Sequence, residues 1–284
     1  TRLFARIGVS KVRITGGEPL VRANLPDLVS KLCVIDGIDD VALTTNGYLL
    51  ENNAQELINA GLNRLTISLD SIDPEVFKEM SGRPQGPANT LAGIKAATLL
   101  GFKQIKINVV VQRGINEHTL VDTARYFKGT GAIVRFIEFM DVGTKNGWEL
   151  SQVFTSREVI ETINAEFPLE PVEHNYKGEV ASRYRYVDGS GEIGVISSVS
   201  EPFCGDCTRA RLSTDGKLIT CLFASGGTDL KTPMRSGATD AELVEIITSV
   251  WTGRSDRYSE LRSKDTEFNT DSDGSKVEMY YIGG

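Results

Sequence analysis

The sequence is poor in cysteine and histidine, with four of the first and two of the second among 284 residues. Four cysteines are too few to staple a secreted scaffold, and three of them fall within eighteen positions, which suggests a site instead of a disulfide framework. No apolar run approaches the roughly 18 residues of a membrane-spanning helix, and residues 1–6 lack the apolar core of a signal peptide. A soluble, cytoplasmic protein with no membrane partner is therefore expected. Basic residues are in deficit, 31 Lys and Arg against 38 Asp and Glu, and the formal charge of -7 leaves no footprint for a nucleic-acid binder. A local basic pocket for one phosphorylated molecule is compatible with that balance. The remaining composition, 40% hydrophobic and 24% charged, is that of a folded protein with one large domain or two smaller ones. The first residue is Thr1, not Met, and a strand is expected almost directly after it, so the chain is read as beginning inside a longer protein.

Up to about residue 139, short β-rich runs alternate with stretches of helical periodicity. Strands are predicted over 11–15, 41–45, 65–69, 104–111 and 133–139, and helices over 25–34, 53–60, 90–100 and 119–127, with a short one opening at Pro74. Five strands in units of about thirty residues predict a parallel sheet with right-handed crossovers. The carboxyl ends of these strands, where such sheets bind ligands, carry the segments 16–19, 44–47, 68–70 and 138–141. After Gly143 the rhythm changes: helices are predicted over 155–164 and 241–251, and short strands over 183–187 and 193–196 around an Asp188-Gly189 turn. The division expected is a catalytic α/β domain, residues 1–143, and a C-terminal α+β extension, residues 144–284.

Cys204, Cys207 and Cys221 form C-x2-C-x13-C. Tetrahedral zinc with a fourth ligand, a 4Fe-4S cluster with one open iron and a metal-free arrangement are all compatible with this spacing. The other soft or borderline ligands are Cys33, His118 and His174. Arg209 and Arg211 follow the cysteine pair and share one face if the segment is extended, an arrangement that suits a phosphorylated substrate. Offsetting the charge of the thiolates is the alternative reading of the same arginines.

Taken together, Gly16-Gly17-Glu18-Pro19, Thr44-Thr45-Asn46-Gly47, Ser68-Leu69-Asp70, the run 135–140, the cysteine–arginine string 203–217, Cys221-Leu222-Phe223 and Tyr281-Ile282-Gly283-Gly284 carry a resemblance. The chain resembles the radical S-adenosylmethionine (SAM) family, and within it the branch that opens molybdenum cofactor biosynthesis by cyclising GTP. The first of these motifs marks only the broad superfamily, whereas the cysteine–arginine string and the double-glycine tail narrow it. The likeness runs over nearly the whole chain.

The resemblance implies a partial (incomplete) TIM-type barrel, with an extension that carries an auxiliary 4Fe-4S cluster. It further implies a second, N-terminal 4Fe-4S cluster held by C-x3-C-x2-C, on which SAM is reductively cleaved. The resulting 5'-deoxyadenosyl radical takes the 3' hydrogen of GTP, and attack on C8 gives 3',8-cyclo-7,8-dihydro-GTP. The implied partners are GTP, SAM, an electron donor, cyclic pyranopterin monophosphate synthase as the next enzyme, and a second copy in a homodimer. Carried over residue by residue, Gly17, Glu18, Ser68 and Met140 would meet SAM, and Arg13, Thr44, Lys106 and the stretch Arg209, Ala210 and Arg211 would face GTP. Cys204, Cys207 and Cys221 would hold the auxiliary cluster, with Arg209, Arg211, Gly283 and Gly284 assisting catalysis. Each has a structural alternative: Glu18, Thr44 and Ser68 as helix caps, Lys106 as an exposed edge residue, Met140 as core and the tail as silent.

One departure stands out: no C-x3-C-x2-C occurs anywhere in these 284 residues. The family places it just before the point where this chain begins, so the expectation is a chain without its first barrel unit, which by itself does not cleave SAM. On that expectation the five strands are the remainder of six. The alternatives are another radical SAM enzyme with an auxiliary cluster, such as a peptide-modifying maturase, and an inactive metal-binding homologue.

Overall fold

The computed structural model describes residues 1–143, 146–176, 178–256, 258–259 and 276–283, with Asp206, Tyr280 and Ile282 described by their backbone alone. Strands β1 (Lys11–Ile14), β2 (Asp40–Thr45), β3 (Arg64–Ser68), β4 (Gln104–Val111) and β5 (Ile133–Glu138) lie side by side and parallel. Helices α2 (Leu25–Cys33), α3 (Leu50–Asn59), α4 (Pro74–Ser81), α5 (Ala88–Leu99) and α6 (Leu120–Phe127) form the crossovers. Preceding them all is α1 (Arg2–Arg6), where the sequence pattern had led almost directly into a strand. Its Leu3 and Phe4 pack against a small core around Leu218, Leu230 and Ile247, so its apolar residues serve the C-terminal part of the chain.

Alternation along the strands separates two faces. Val41, Leu43, Leu65, Ile67, Ile107, Val109, Val134 and Phe136 enter one continuous core with the helices, each large side chain contributing about 1.5–3 kcal/mol. The opposite positions, Arg13, Thr44, Thr66, Lys106, Asn108 and Arg135, form a polar inner wall. Helices α3 and α5 approach closely at Gly93, where a Cβ would lie 2.8 Å from the Gly47 carbonyl and from the Leu50 Cβ.

Beyond α7 (Ser156–Glu166), strands β6 (Leu169–Val172), β7 (Ser182–Tyr186) and β8 (Glu192–Ile196) extend the same sheet in the order β1-β2-β3-β4-β5-β8-β7-β6. Strand β8 runs parallel to β5, giving six parallel strands, and β7 and β6 follow antiparallel. The sixth parallel strand thus comes from after residue 143, and the sheet is continuous across that point. The sequence pattern missed β6 because Pro171 interrupts it; as an edge strand it tolerates the lost donor. The sheet is open, with β1 and β6 at its edges, as a partial barrel requires.

Glu138, at the end of β5, is fully buried and locks this junction. It accepts backbone N–H bonds from Ser156, Val199 and Ser200, each at 2.8 Å, and a bond from the Ser200 hydroxyl. The remaining elements are a small sheet of β9 (Arg211–Leu212), β10 (Lys217–Ile219) and β11 (Thr228–Asp229), then α8 (Lys231–Arg235), α9 (Asp240–Thr252) and a terminal helical turn, Met279–Ile282. Among the described residues, no helix is long and apolar enough to cross a membrane.

Candidate active site

At the carboxyl edge, β1 runs into Gly16 and Gly17, of which Gly16 adopts a positive φ of 133°. Gly17 is exposed. Glu18 is engaged by the protein itself: Oε1 accepts from Leu20 N at 2.9 Å and Thr45 Oγ1 at 2.7 Å, and Oε2 from Asn46 N at 2.8 Å. Its carboxylate therefore caps the short 3-10 turn Pro19–Val21 and ties the glycine loop to the end of β2, leaving part of Oε2's accepting capacity. Ser68 ends β3 and is exposed at the same edge, opposite Asn108. Next to it, burial pushes the Asp70 carboxyl up to about 6 despite a hydrogen bond from Val110 N. Met140 packs beside Ile137, Ala181 and Ile196.

Below this edge lies the inner wall. Arg13 Nη1 donates to Thr44 Oγ1 at 3.0 Å and Thr66 Oγ1 at 2.8 Å, joining three strands. Arg13 is open to water from the concave side while protein surrounds it, and that burial, with the charge of Arg64, lowers its pKa. Lys106 is buried, not at an exposed edge; burial first, then Arg135, Arg64 and Arg13, bring its ammonium down to about 8 against an opposing pull from Glu179. Arg135 is brought down to about 10 by burial and by Arg13 and Arg64. It donates from Nε and Nη2 to Asn108 Oδ1 at 3.0 and 2.7 Å. Gly194 on β8 makes room for it, since a Cβ there would lie 3.3 Å from the Arg135 Cγ. Arg64 pairs with Asp40, and Lys11 lies 3.9 Å over the Tyr176 ring.

The charges of Arg13, Arg64 and Arg135 thus gather around Lys106 on the inner face of the sheet, an arrangement compatible with a polyanion. Arg135, Arg64 and Asn108 were not singled out from the sequence as substrate contacts. The available signal was period-2 alternation: Gln104, Lys106 and Asn108 share one face of β4, whose other face is apolar, and Arg135 stands directly opposite Asn108.

The third part of the site is the cysteine hairpin. Cys204 opens a 3-10 turn, Cys207 ends it, and Cys221 follows β10 across the hairpin; all three are partly buried free thiols. Burial opposes ionisation of Cys207, but the charge of Arg209 and hydrogen bonds from Arg254 and Arg209 outweigh it and lower the thiol to about 7. Arg209 Nε lies 3.4 Å from Cys207 Sγ, and Phe223 N lies 3.4 Å from Cys221 Sγ. Among the described residues, no three His, Cys, Asp or Glu side chains meet closely enough to hold a single metal ion. Three thiols with N–H donors at two of their sulfurs match the donor chemistry of an iron–sulfur cluster, which spreads its ligands over several irons.

Arg209 and Ala210 are exposed, with Arg209 also over the Phe203 ring at 5.4 Å. Arg211 turns inward; burial and Arg209 bring it down to about 10, and its Nε makes a long 3.4 Å hydrogen bond to the Gly283 carbonyl. The two arginines therefore do different things. Gly283 is buried with φ 73°, and a Cβ on it would lie 2.4 Å from Thr15 Cγ2 and 2.8 Å from Gly16 N. The tail thus joins the cysteine hairpin to the glycine loop of β1. Gly284 lies outside the described residues.

Comparison with known proteins identifies relatives along the whole chain. The Radical SAM superfamily matches residues 1–127 and Molybdenum Cofactor Synthesis C matches residues 132–260. A GTP 3',8-cyclase of Xanthomonas axonopodis pv. citri (strain 306) is 50% identical over 283 residues, covering 100% of this chain and 83% of the relative. One from Acidothermus cellulolyticus is 47% identical over 301 residues, covering 99% of this chain and 83% of the relative. A solved radical SAM methyltransferase from Sphaerobacter thermophilus overlaps 55% of this chain and 48% of its own at 13% identity and a TM-score of 0.45, too slight a likeness to argue from. Identity of about half, sustained along the whole chain, assigns the protein to a family: it belongs to the GTP 3',8-cyclases, within the radical SAM superfamily.

Proposed function

We propose that this protein binds GTP between the inner wall and the cysteine hairpin and converts it to 3',8-cyclo-7,8-dihydro-GTP in molybdenum cofactor synthesis. The observation that carries the reading is the concentration of Arg13, Arg64, Lys106 and Arg135 on one concave wall, in a chain with a formal charge of -7. An acidic protein that crowds cations at one place does so against their mutual repulsion, and a triphosphate relieves it.

In this reading residues 1–143 supply the SAM edge and the phosphate wall, and residues 144–284 supply the cysteines and the tail. Arg13, Thr44 and Lys106, joined by Arg135 and Asn108, orient the triphosphate and ribose; Gly17, Glu18, Ser68 and Met140 lie along the edge that takes SAM. Cys204, Cys207 and Cys221 would hold the auxiliary 4Fe-4S cluster, which when bound would supply Lewis-acidic iron to a substrate atom. Arg209 holds down the charge of the Cys207 thiolate, and Arg211 and Gly283 close the pocket. Ligands for the SAM-cleaving cluster are not among these 284 residues, so the chain by itself binds GTP and leaves SAM intact. An electron donor, a downstream synthase, a homodimer and a cytoplasmic setting belong to the same proposal.

The test is an anaerobic assay with GTP, SAM and a strong reductant, run on this chain and on one extended upstream through C-x3-C-x2-C. The expected result is cyclised GTP and 5'-deoxyadenosine from the extended chain alone. SAM cleavage indifferent to GTP would overturn the proposal.

A further inference from the structure

The terminal segment is anchored at several points before it enters the site. Lys276 Nζ donates to Asp141 Oδ2 at 2.8 Å and to the Tyr258 hydroxyl at 2.7 Å, and Tyr258 stacks on Phe223 with ring centroids 4.6 Å apart. Val277 N donates to the Ala224 carbonyl at 2.9 Å. Closest to the tip, the Tyr281 hydroxyl donates to Asp215 Oδ1. Two residues further on, Gly283 sits in a space that admits no side chain.

Asp215 belongs to the turn between β9 and β10, and that turn is rigidly built. The Ser213 hydroxyl donates to Asp215 Oδ1 at 2.5 Å and accepts from Lys217 N at 2.9 Å. Gly216, with φ 89°, is pressed against Lys231, where a Cβ would lie 2.6 Å from the lysine Cβ. The same hairpin presents Arg211 to the Gly283 carbonyl, and Cys207 and Cys221 flank its two ends. The hairpin that carries the cysteines therefore holds the tail at two points.

We propose that Tyr281 and Asp215 are a positioning pair, which sets how far the tail penetrates and thereby couples the cysteine hairpin to the Thr15–Gly16 loop. The proposal rests on the GTP-cyclising reading for its effect on turnover, but not for the placement of the tail. Gly283 is packed so closely against Thr15 and Gly16 that no side chain fits there, so a directional, charge-assisted bond two residues away is well suited to fix its position. Neither side chain is required to touch substrate.

The test uses the full-length holoenzyme, anaerobically, with Tyr281→Phe, Asp215→Ala and the double variant. Hydrogen–deuterium exchange of residues 12–17 and of the terminal peptide is measured beside iron content and steady-state GTP kinetics. Expected are faster exchange in both regions and a kcat lower by about tenfold in each single variant, with unchanged iron and unchanged KM for GTP. The double variant is expected to be no worse than Asp215→Ala alone, because both single changes remove the same Tyr281–Asp215 bond and Asp215→Ala also frees the Ser213 hydroxyl. Unchanged exchange at residues 12–17, losses that multiply in the double, or iron lost in parallel with activity would each overturn the proposal. A wild-type protein that fails to cyclise GTP would instead refute the reaction, and the exchange data would still decide the pair.

Discussion

Gly283 and Thr15 are packed so closely that a Cβ on the glycine would lie 2.4 Å from the threonine Cγ2. The two residues are distant in sequence, and their contact seats the C-terminal tail on the first strand's carboxyl edge. Gly283 also has φ 73°, which disfavours any residue with a Cβ. Gly283→Ala is therefore expected to displace the tail and lower turnover by about tenfold or more, while binding of GTP to the inner wall is retained. Turnover and calorimetric affinity, measured on the same anaerobic preparation, check this; wild-type turnover would contradict it.

The inner wall makes GTP binding depend on pH in a definite direction. Lys106 titrates near 8 in the folded protein against an ordinary 10.5, because burial and then Arg135, Arg64 and Arg13 disfavour its charge. Without ligand, stability contributed by this group rises between about 8 and 10.5, since the unfolded chain binds the proton more tightly. A bound polyphosphate reverses the field and raises the value, so binding takes up a proton above about pH 8 and affinity falls there. Calorimetry at pH 7 and pH 9 in buffers of different ionisation enthalpy is expected to give uptake only at the higher pH, and none with Lys106→Met. Equal uptake at both would contradict the assignment.

Arg135, like Arg64, was left out of the substrate wall by the sequence reading; it is held by Asn108 at 2.7 Å and accommodated by Gly194. Arg135→Met is expected to weaken GTP binding by about tenfold or more without changing iron content, the loss expected of one charge-assisted phosphate contact. Unaltered affinity would remove Arg135 from the site.

Glu138 carries a different expectation. Its carboxylate satisfies four donors from two other segments, in a position that is 1% exposed. Glu138→Ala leaves those donors buried and unpaired, and is expected to cost about 3 kcal/mol or more of stability. Denaturant unfolding checks this, with Glu138→Gln expected to lose less because its carbonyl still accepts. A loss under about 1 kcal/mol would contradict the pinning role.

Much of the fold was legible because β2, β4 and β5 are short apolar runs broken by helical periodicity, the pattern that a covered parallel sheet imposes. The strand pairing of β5 with β8 was not: their segments are far apart in sequence, and only tertiary packing sets such a partnership. Strand β6 was hidden by Pro171, which an edge position tolerates. Within the site, Arg13, Thr44 and Lys106 were named only through the family resemblance, and Arg135, Arg64 and Asn108 were not named as substrate contacts, because their shared face is set by strand register and not by sequence neighbourhood. The cysteine spacing indicated a metal site without choosing the metal. What spacing could not convey is contact: Glu18 spent on Leu20, Thr45 and Asn46, Arg209 lying on Cys207, and Arg211 turned toward Gly283.

The cysteine hairpin and the inner wall are proposed to form one GTP site. The most direct measurement is anaerobic iron, sulfide and zinc analysis of the reconstituted 284-residue chain, together with calorimetric binding of GTP, before and after serine replaces Cys204, Cys207 and Cys221. Expected are about four irons per chain and GTP binding that weakens when the cluster is lost. Stoichiometric zinc in place of iron, or GTP affinity indifferent to the three cysteines, would contradict the proposal.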